Sequence, residues 1–268
     1  MSHDLGHAAV TTESDASEPL RGKVALITGG GAGIGRGVAK AFAARGAGVA
    51  VVGRRLGPLQ ETRDEIVAAG GQALAISADV GVAGDIQSMV EMTVEHFGRL
   101  DVLVNNAQGY RHASLVDAND DDMDLVWRTG PLAAFRSMKA AYPHLCEAGG
   151  LIVNFGSGTQ FDPSEQFHST YNAAKGAIAN LTRSAAVEWG PGGIRAVLVV
   201  PAAESDQLAA FRARDPAKFE QMMGRVPLGR FGDAEVDIGR PVAWLATEEA
   251  RYITGTTLML DGGQMQLR

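Results

Sequence analysis

The chain has 268 residues, 46% of them hydrophobic and 21% charged, enough apolar material for one full-sized core. A formal net charge of −7 argues against nucleic acid and anionic membrane surfaces as partners. The single Cys146 excludes an internal disulfide and a multi-cysteine zinc site, suits a reducing cytoplasm, and is expected to fill apolar space.

Residues 1–19 mix Ser, Thr, Asp, Glu and Ala with His3 and His7, without periodicity. They lack the apolar centre of a signal peptide and read as a disordered, solvated tail before one domain over 20–268. No run approaches the roughly 18 apolar residues of a membrane span. Residues 24–27 read as a short buried strand. It runs into Thr28-Gly29-Gly30-Gly31-Ala32-Gly33-Ile34-Gly35, then a helix with Ile34, Val38 and Phe42 on one face. Glycines between a strand and a helix let the backbone approach a diphosphate. The helix N-terminus adds free N–H groups and partial positive charge.

A second strand, 49–52, ends at Gly53-Arg54-Arg55. An acid at this place hydrogen-bonds the adenosine ribose in dinucleotide folds, and none is present. Gly53 leaves room and Arg54 offers a guanidinium suited to a phosphate. NADP(H) is therefore expected in preference to NAD(H). Strands at 72–76 and 100–104 follow. Between them lie Asp79-Val80 and a helix patterned by Ile86, Met89, Val90, Thr93, Val94 and Phe97. The later strand runs into Asn105-Asn106-Ala107-Gln108-Gly109. This alternation predicts an α/β, doubly wound parallel sheet with ligands at the C-terminal strand ends.

Past a loop holding Tyr110, Arg111 and His112, three acids, Asp120 to Asp122, open a long helix and complement its dipole. Consecutive carboxylates on a helix diverge, so no metal site is expected. The run Trp127-Arg128-Thr129-Gly130-Pro131 suits a helix interior badly, and Pro131 predicts a kink. Strand 151–155 leads to Ser157. The helix after it carries Tyr171-Asn172-Ala173-Ala174-Lys175 and runs to about Trp189. Tyr and Lys four apart share one helix face. A phenol has an ordinary pKa of about 10. A fixed ammonium beside it is expected to bring that pKa toward neutrality, where the phenol can exchange a proton with a substrate oxygen. Ser157 can donate a hydrogen bond to the same oxygen.

A sixth strand, 194–200, is stopped by Pro201. Residues 204–224 look helical, with Leu208, Phe211, Phe219, Met222 and Met223 inward, and are expected to cover the site as a lid. Arg212 and Arg214 read as solvated charges, with contact to an acidic substrate as the alternative. Ile238, Val242 and Leu245 pattern a last helix. Residues 256–260 form a final strand ending in Asp261-Gly262-Gly263. No repeat or linker divides the chain.

The motifs stand in a telling order: Thr28-Gly29-x-x-x-Gly33-x-Gly35, Asp79, Asn105-Asn106-Ala107, Ser157, Tyr171-x-x-x-Lys175, Pro227-Leu-Gly-Arg-Phe-Gly232 and Ile253-Thr-Gly255 with Asp261-Gly-Gly263. Over 21–263 the chain resembles the short-chain dehydrogenase/reductase family. The resemblance implies a single Rossmann-type domain, a seven-stranded parallel sheet with helices on both faces, and usually a homotetramer or homodimer. It implies reversible hydride transfer between a nicotinamide cofactor and a small carbonyl or alcohol. Tyr171 would be the general acid/base, Lys175 would lower its pKa and hold the nicotinamide ribose, and Ser157 would position the substrate oxygen. Asp79, followed by Val80, falls where the family contacts adenine. Asn106, followed by Ala107, falls where it steadies the fourth strand and a cofactor ribose. The other cofactor-contacting positions implied are Thr28, Gly29, Gly31, Gly33, Ile34, Gly35, Arg54 and Pro201.

Departures from the family cluster at the cofactor and substrate end. The family's fourth catalytic residue, an Asn, falls on Gly130. A Gly-Pro break there is expected to free a backbone carbonyl for the water that leads to the lysine in the family, and Gly130→Asn to change the rate modestly. Gln108 puts a polar side chain or an inserted residue beside the nicotinamide. Ala202 follows Pro201 where the family has Gly. The Thr that clasps the carboxamide is missing, with Ser205 or Asp206 in its place.

The function expected is that of a cytoplasmic, NADP(H)-preferring oxidoreductase on a carbonyl or hydroxyl substrate. Its walls are expected from Tyr110, Trp127, Phe155, Phe161, Phe167 and His168. One alternative is reduction of an activated C=C bond of the enoyl-thioester type. The other is a dinucleotide-binding sensor or subunit with little catalysis, which the intact Ser157, Tyr171 and Lys175 oppose.

Overall fold

The structure, a computed structural model, describes residues 18–162 and 168–265. Seven parallel strands form one sheet: β1 (Val24–Thr28), β2 (Gly48–Gly53), β3 (Gln72–Ser77), β4 (Val102–Asn105), β5 (Leu151–Phe155), β6 (Arg195–Pro201) and β7 (Thr257–Leu260). Their order is β3-β2-β1-β4-β5-β6-β7. It reverses between β1 and β4, and such a switch point opens a crevice at the C-terminal strand ends.

The helices are α1 (Gly33–Ala43), α2 (Leu56–Ala68), α3 (Ala83–Phe97), α4 (Asp120–Thr129), α5 (Pro131–Ala148), α6 (Ser169–Trp189), α7 (Asp206–Arg214), α8 (Pro216–Met223) and the short α9 (Arg240–Trp244). Strand side chains alternate between the two faces of the sheet, and both faces are buried. Ala25, Ile27, Val49, Val51, Val102 and Val104 pack with α1, α2 and α9 on one face. Leu26, Ala50, Val52, Leu103 and Ile152 pack with α3, α5 and α6 on the other. The expected seven-stranded, doubly wound sheet with helices on both faces is what forms.

Three local features sharpen or correct the sequence reading. The kink expected at Pro131 is a full break: α4 ends at Thr129, and Pro131 is the first residue of α5. Proline suits that position, where no intrahelical N–H bond is lost. Cys146 does not fill apolar space; it lies exposed on α5. The segment 204–224 folds as α7 and α8, which enclose Phe219 together with Val226 and Phe231. Leu208, Phe211, Met222 and Met223 pack against that small separate core, as anticipated.

The C-terminal turn before α9 is a π-helix, Ala234–Gly239, whose backbone lies directly on α1. A Cβ added to Gly37 would collide with the Ala234 carbonyl group. Backbone cannot move aside as a flexible side chain can. Gly37→Ala is therefore expected to destabilise the fold by about 1–3 kcal/mol. Calorimetry would show a melting temperature lower by about 2–4 °C for each kcal/mol; an unchanged value would show that this contact is loose.

Candidate active site

The crevice between β1 and β4 is closed at its base by Thr28. Its hydroxyl donates to the Val104 carbonyl (3.2 Å) and accepts from the backbone N–H groups of Asn106 (3.0 Å) and Ala107 (3.1 Å). Asn106 answers with its side-chain amide, donating to the Thr28 carbonyl (2.9 Å). Thr28 is thus buried as a strand-to-strand clamp. The glycine turn needs its glycines: Gly29 and Gly33 have φ of +71° and +50°, and a Cβ on Gly35 would collide with the Gly29 carbonyl. Ile34 turns its side chain toward the core. A cleft of about 520 Å³ runs past Gly29, Gly31, Arg54, Asp79, Val80 and Ala107. The residue types lining it fit a dinucleotide: glycine backbone for the diphosphate and a guanidinium at the far rim. Gly33 and Gly35 lie in the first turn of α1, which follows the cleft-lining Gly31 and Ala32. Pro201 ends β6 and pairs with Leu260.

Helix α6 is anchored to the sheet by a buried polar chain. The Asn105 side-chain amide donates to the side-chain oxygen Oδ1 of Asn154 (2.8 Å), and the Asn154 Nδ2 donates to Thr182 on α6 (2.9 Å). Such fully paired networks fix one arrangement of their elements. This one places Tyr171 and Lys175 opposite Ser157, which follows β5. Lys175 is only 4% exposed and donates to the Phe155 carbonyl (2.7 Å). Its ammonium lies 5.3 Å from the centre of the Tyr171 ring. The Ser157 hydroxyl shares a hydrogen bond with Thr159 (3.0 Å), which in turn donates to Asn172 (2.6 Å).

The electrostatics differ from the sequence expectation. The Tyr171 phenol is pushed up to about 12 rather than drawn toward neutrality. Burial is the main cause and the neighbouring Tyr110 phenol adds to it, while hydrogen bonding by Ser157 works against the rise. Lys175 does not offset this, because burial lowers its own pKa to about 7 and its ammonium is engaged by Phe155.

An aromatic cluster surrounds the phenol. Tyr110 lies 4.5 Å and His168 6.2 Å from the Tyr171 ring. His112, which the sequence left in a loop without a role, packs edge-on against both Tyr110 (4.9 Å) and His168 (4.8 Å). Its pKa is lowered by burial, then by His168 and by Arg214 of α7. Arg212 and Arg214 are not simply solvated: each guanidinium sits over a ring, Phe219 at 4.5 Å and Phe211 at 5.7 Å. Of the expected walls, Tyr110 and His168 are brought to the site. Phe155 is not; it is buried in the core of the α1 face. Trp127 and Phe161 are partly exposed on α4 and after the Ser157 turn. Phe167, His3 and His7 lie outside the described residues, as does the side chain of Asp206.

Gly130 fills its place for a steric reason. A Cβ there would lie 2.7 Å from both the Gln108 amide nitrogen and the Val126 carbonyl oxygen. The Gly130 carbonyl that was expected to be free accepts from Ala134 N–H (2.9 Å). A side chain at 130 would crowd the Val126 backbone carbonyl and push the end of Gln108 aside.

A family model described as enoyl-(acyl carrier protein) reductase matches residues 29–265. The chain is 38% identical to a 12alpha-hydroxysteroid dehydrogenase from a Clostridium species, over 91% of this chain and 97% of that one. It is 35% identical to versicolorin reductase 1 of Dothistroma septosporum, over 91% and 96%. A short-chain dehydrogenase from Burkholderia cenocepacia, solved in complex with NADP, superposes with a TM-score of 0.84 at 36% identity, covering 92% and 99%. The chain belongs to the short-chain dehydrogenase/reductase family. It is an NAD(P)-dependent oxidoreductase of that family.

Lys175 gives the site a measurable pH signature. Below about pH 7 the folded chain carries a buried ammonium, and stability suffers for it. Between about 7 and the ordinary value of 10.5, the unfolded chain holds the extra proton, so this contribution rises with pH. The stability of the wild type relative to Lys175→Met is expected to increase from pH 7 to 10, by up to about 1.4 kcal/mol per pH unit. Urea unfolding at each pH checks this; a constant difference would show that Lys175 titrates normally.

Proposed function

We propose that this chain is an NADP(H)-preferring oxidoreductase acting on a ring-bearing alcohol or carbonyl, with Tyr171 as the group that exchanges a proton with the substrate oxygen. The observation that carries this reading is the convergence of Tyr171, Lys175 and Ser157, with Tyr110 of the cleft wall packed against the Tyr171 ring. A bound nicotinamide supplies or accepts the hydride. Ser157 orients the substrate oxygen, and Lys175 stabilises the phenolate that remains when Tyr171 has given up its proton. The high pKa of the phenol in the chain alone keeps it protonated.

The ring cluster of Tyr110, His112 and His168 supports a flat, partly apolar substrate. The names of the relatives point the same way: a hydroxysteroid dehydrogenase, a versicolorin reductase, and a 4-formylbenzenesulfonate dehydrogenase of Comamonas testosteroni at 33% identity. Arg214 of α7 acts on the charge of His112, which supports reading α7 and α8 as a cover over this end. Phe135, Tyr142 and Val187 stand exposed on α5 and α6, which supports pairing of these helices between copies in a homodimer or homotetramer. A cytoplasmic setting is in keeping with the single cysteine.

The preference for NADP(H) rests on Arg54 and Gly53. A Cβ on Gly53 would meet nothing closer than the Leu59 side chain at 3.5 Å, so the strand end has room for a phosphate. Arg54 is exposed beside it at the cleft rim. Arg54→Ala is expected to weaken NADPH binding about tenfold or more, the value of a charge-assisted hydrogen bond, while changing NADH binding little. Fluorescence titration with both cofactors decides it; equal losses would refute the phosphate contact.

A second reading, reduction of an activated C=C bond, is favoured by the description of the matching family model. A screen with NADPH should include hydroxysteroid ketones, aromatic aldehydes and an enoyl thioester, each with wild type and Tyr171→Phe. Ketone or aldehyde turnover that falls by about three or more orders of magnitude in Tyr171→Phe supports the first reading. Turnover confined to the thioester selects the second. Cofactor binding without any turnover would point to a sensor or subunit.

A further inference from the structure

Behind the Tyr171–Lys175 pair lies a small internal cavity. Asn105, Gln108, Gly130, Ser137 and Lys175 are among its walls. About 10 Å³ of it is open to the centre of a water molecule, close to the room that one water needs. Gln108 also lines the outer cleft, so its side chain stands between the two spaces.

Both polar atoms of the Gln108 amide are shielded from solvent and meet no protein hydrogen-bond partner among the described residues. The hydroxyl of Ser137, on a residue only 1% exposed, is in the same condition. Leaving such groups unpaired is costly, and native proteins rarely accept it. Here they belong to residues that border the same water-sized space. A primary amide can donate twice and accept twice, and a hydroxyl does both. The amide reaches this place only because residue 130 has no side chain, since a Cβ there would lie 2.7 Å from its nitrogen.

We infer that Gln108 is a positioning residue which, with Ser137, holds a water beside Lys175 and links that lysine to the outer cleft as a route for proton return. The inference rests on the proton-exchanging role proposed for Tyr171. During reduction Tyr171 gives its proton to the substrate oxygen. The Lys175 ammonium replaces it, the held water passes a proton to Lys175, and that water regains one from solvent at the Gln108 end. Only O–H and N–H bonds change. Gln108 and Ser137 keep the water oriented and end the cycle unaltered.

Two measurements test this. The first is a crystal structure of the wild-type chain, which requires no substrate. An ordered water is expected at hydrogen-bond distance, about 3 Å, from both the Gln108 amide and Ser137 Oγ. A dry cavity, or an amide turned out into the cleft, overturns the inference. The second is steady-state reduction of whichever carbonyl the screen yields. Gln108→Met, similar in length and without strong hydrogen bonds, is expected to lower kcat about tenfold and raise the solvent deuterium isotope effect. Ser137→Ala should shift both in the same direction by less, and Gln108→Glu, which keeps acceptor oxygens, should restore most of kcat. An unchanged kcat and isotope effect in both Gln108→Met and Ser137→Ala refutes the relay. Failure to find any turned-over carbonyl strikes the proposed function instead, and the crystallographic result still decides the water site.

Discussion

The site depends on one clamp. Thr28 ties the end of β1 to the end of β4 through three hydrogen bonds of a single hydroxyl, and Asn106 returns a fourth. Strands on either side of a switch point send their following loops apart, so nothing in the sheet ladder itself holds these two ends in register beyond Val104. The side-chain clamp does so, and it fixes the floor of the cleft on which the glycine turn and the Asn-Asn-Ala segment face each other. Replacing the hydroxyl would orphan two backbone N–H groups at the most constrained point of the crevice.

A second polar chain performs the same service for the chemistry. Asn105, Asn154 and Thr182 join β4, β5 and α6. Helix α6 therefore presents Tyr171 and Lys175 from a fixed position, as a site requiring sub-ångström placement must. Burial then sets the charges. It pushes the phenol up and the ammonium down, the reverse of what the two side chains would do if only their mutual attraction mattered. Desolvation outweighs attraction here because the ammonium is spent on the Phe155 carbonyl and faces the ring.

The strands, the glycine turn and the Tyr171 helix were legible in the sequence because each leaves a local mark. Buried parallel strands are continuous apolar runs, and Gly29, Gly33 and Gly35 are demanded by backbone geometry at their own positions. The inner face of 204–224 could be read from spacing alone. Other expectations failed where the deciding contact is remote in sequence. Phe155 looked like a substrate wall, yet strand alternation sends it into the core. Cys146 looked buried, yet it faces out from α5. His112 carried no signal, since only the fold brings His168 and Arg214 beside it.

Gly130 and Gln108 show the division most clearly. By itself the sequence determined the fold class, the order of the motifs, and the fact that an amide is missing at 130 while a glutamine is added at 108. Those are properties of single positions. Only the tertiary structure decided that the two departures occupy one space, with the Gln108 amide lying where a side chain at 130 would begin. They are 22 positions apart in the chain. The break between α4 and α5 at Pro131 and the loop after β4 bring them into contact, and steric exclusion between them is a matter of distance rather than of pattern.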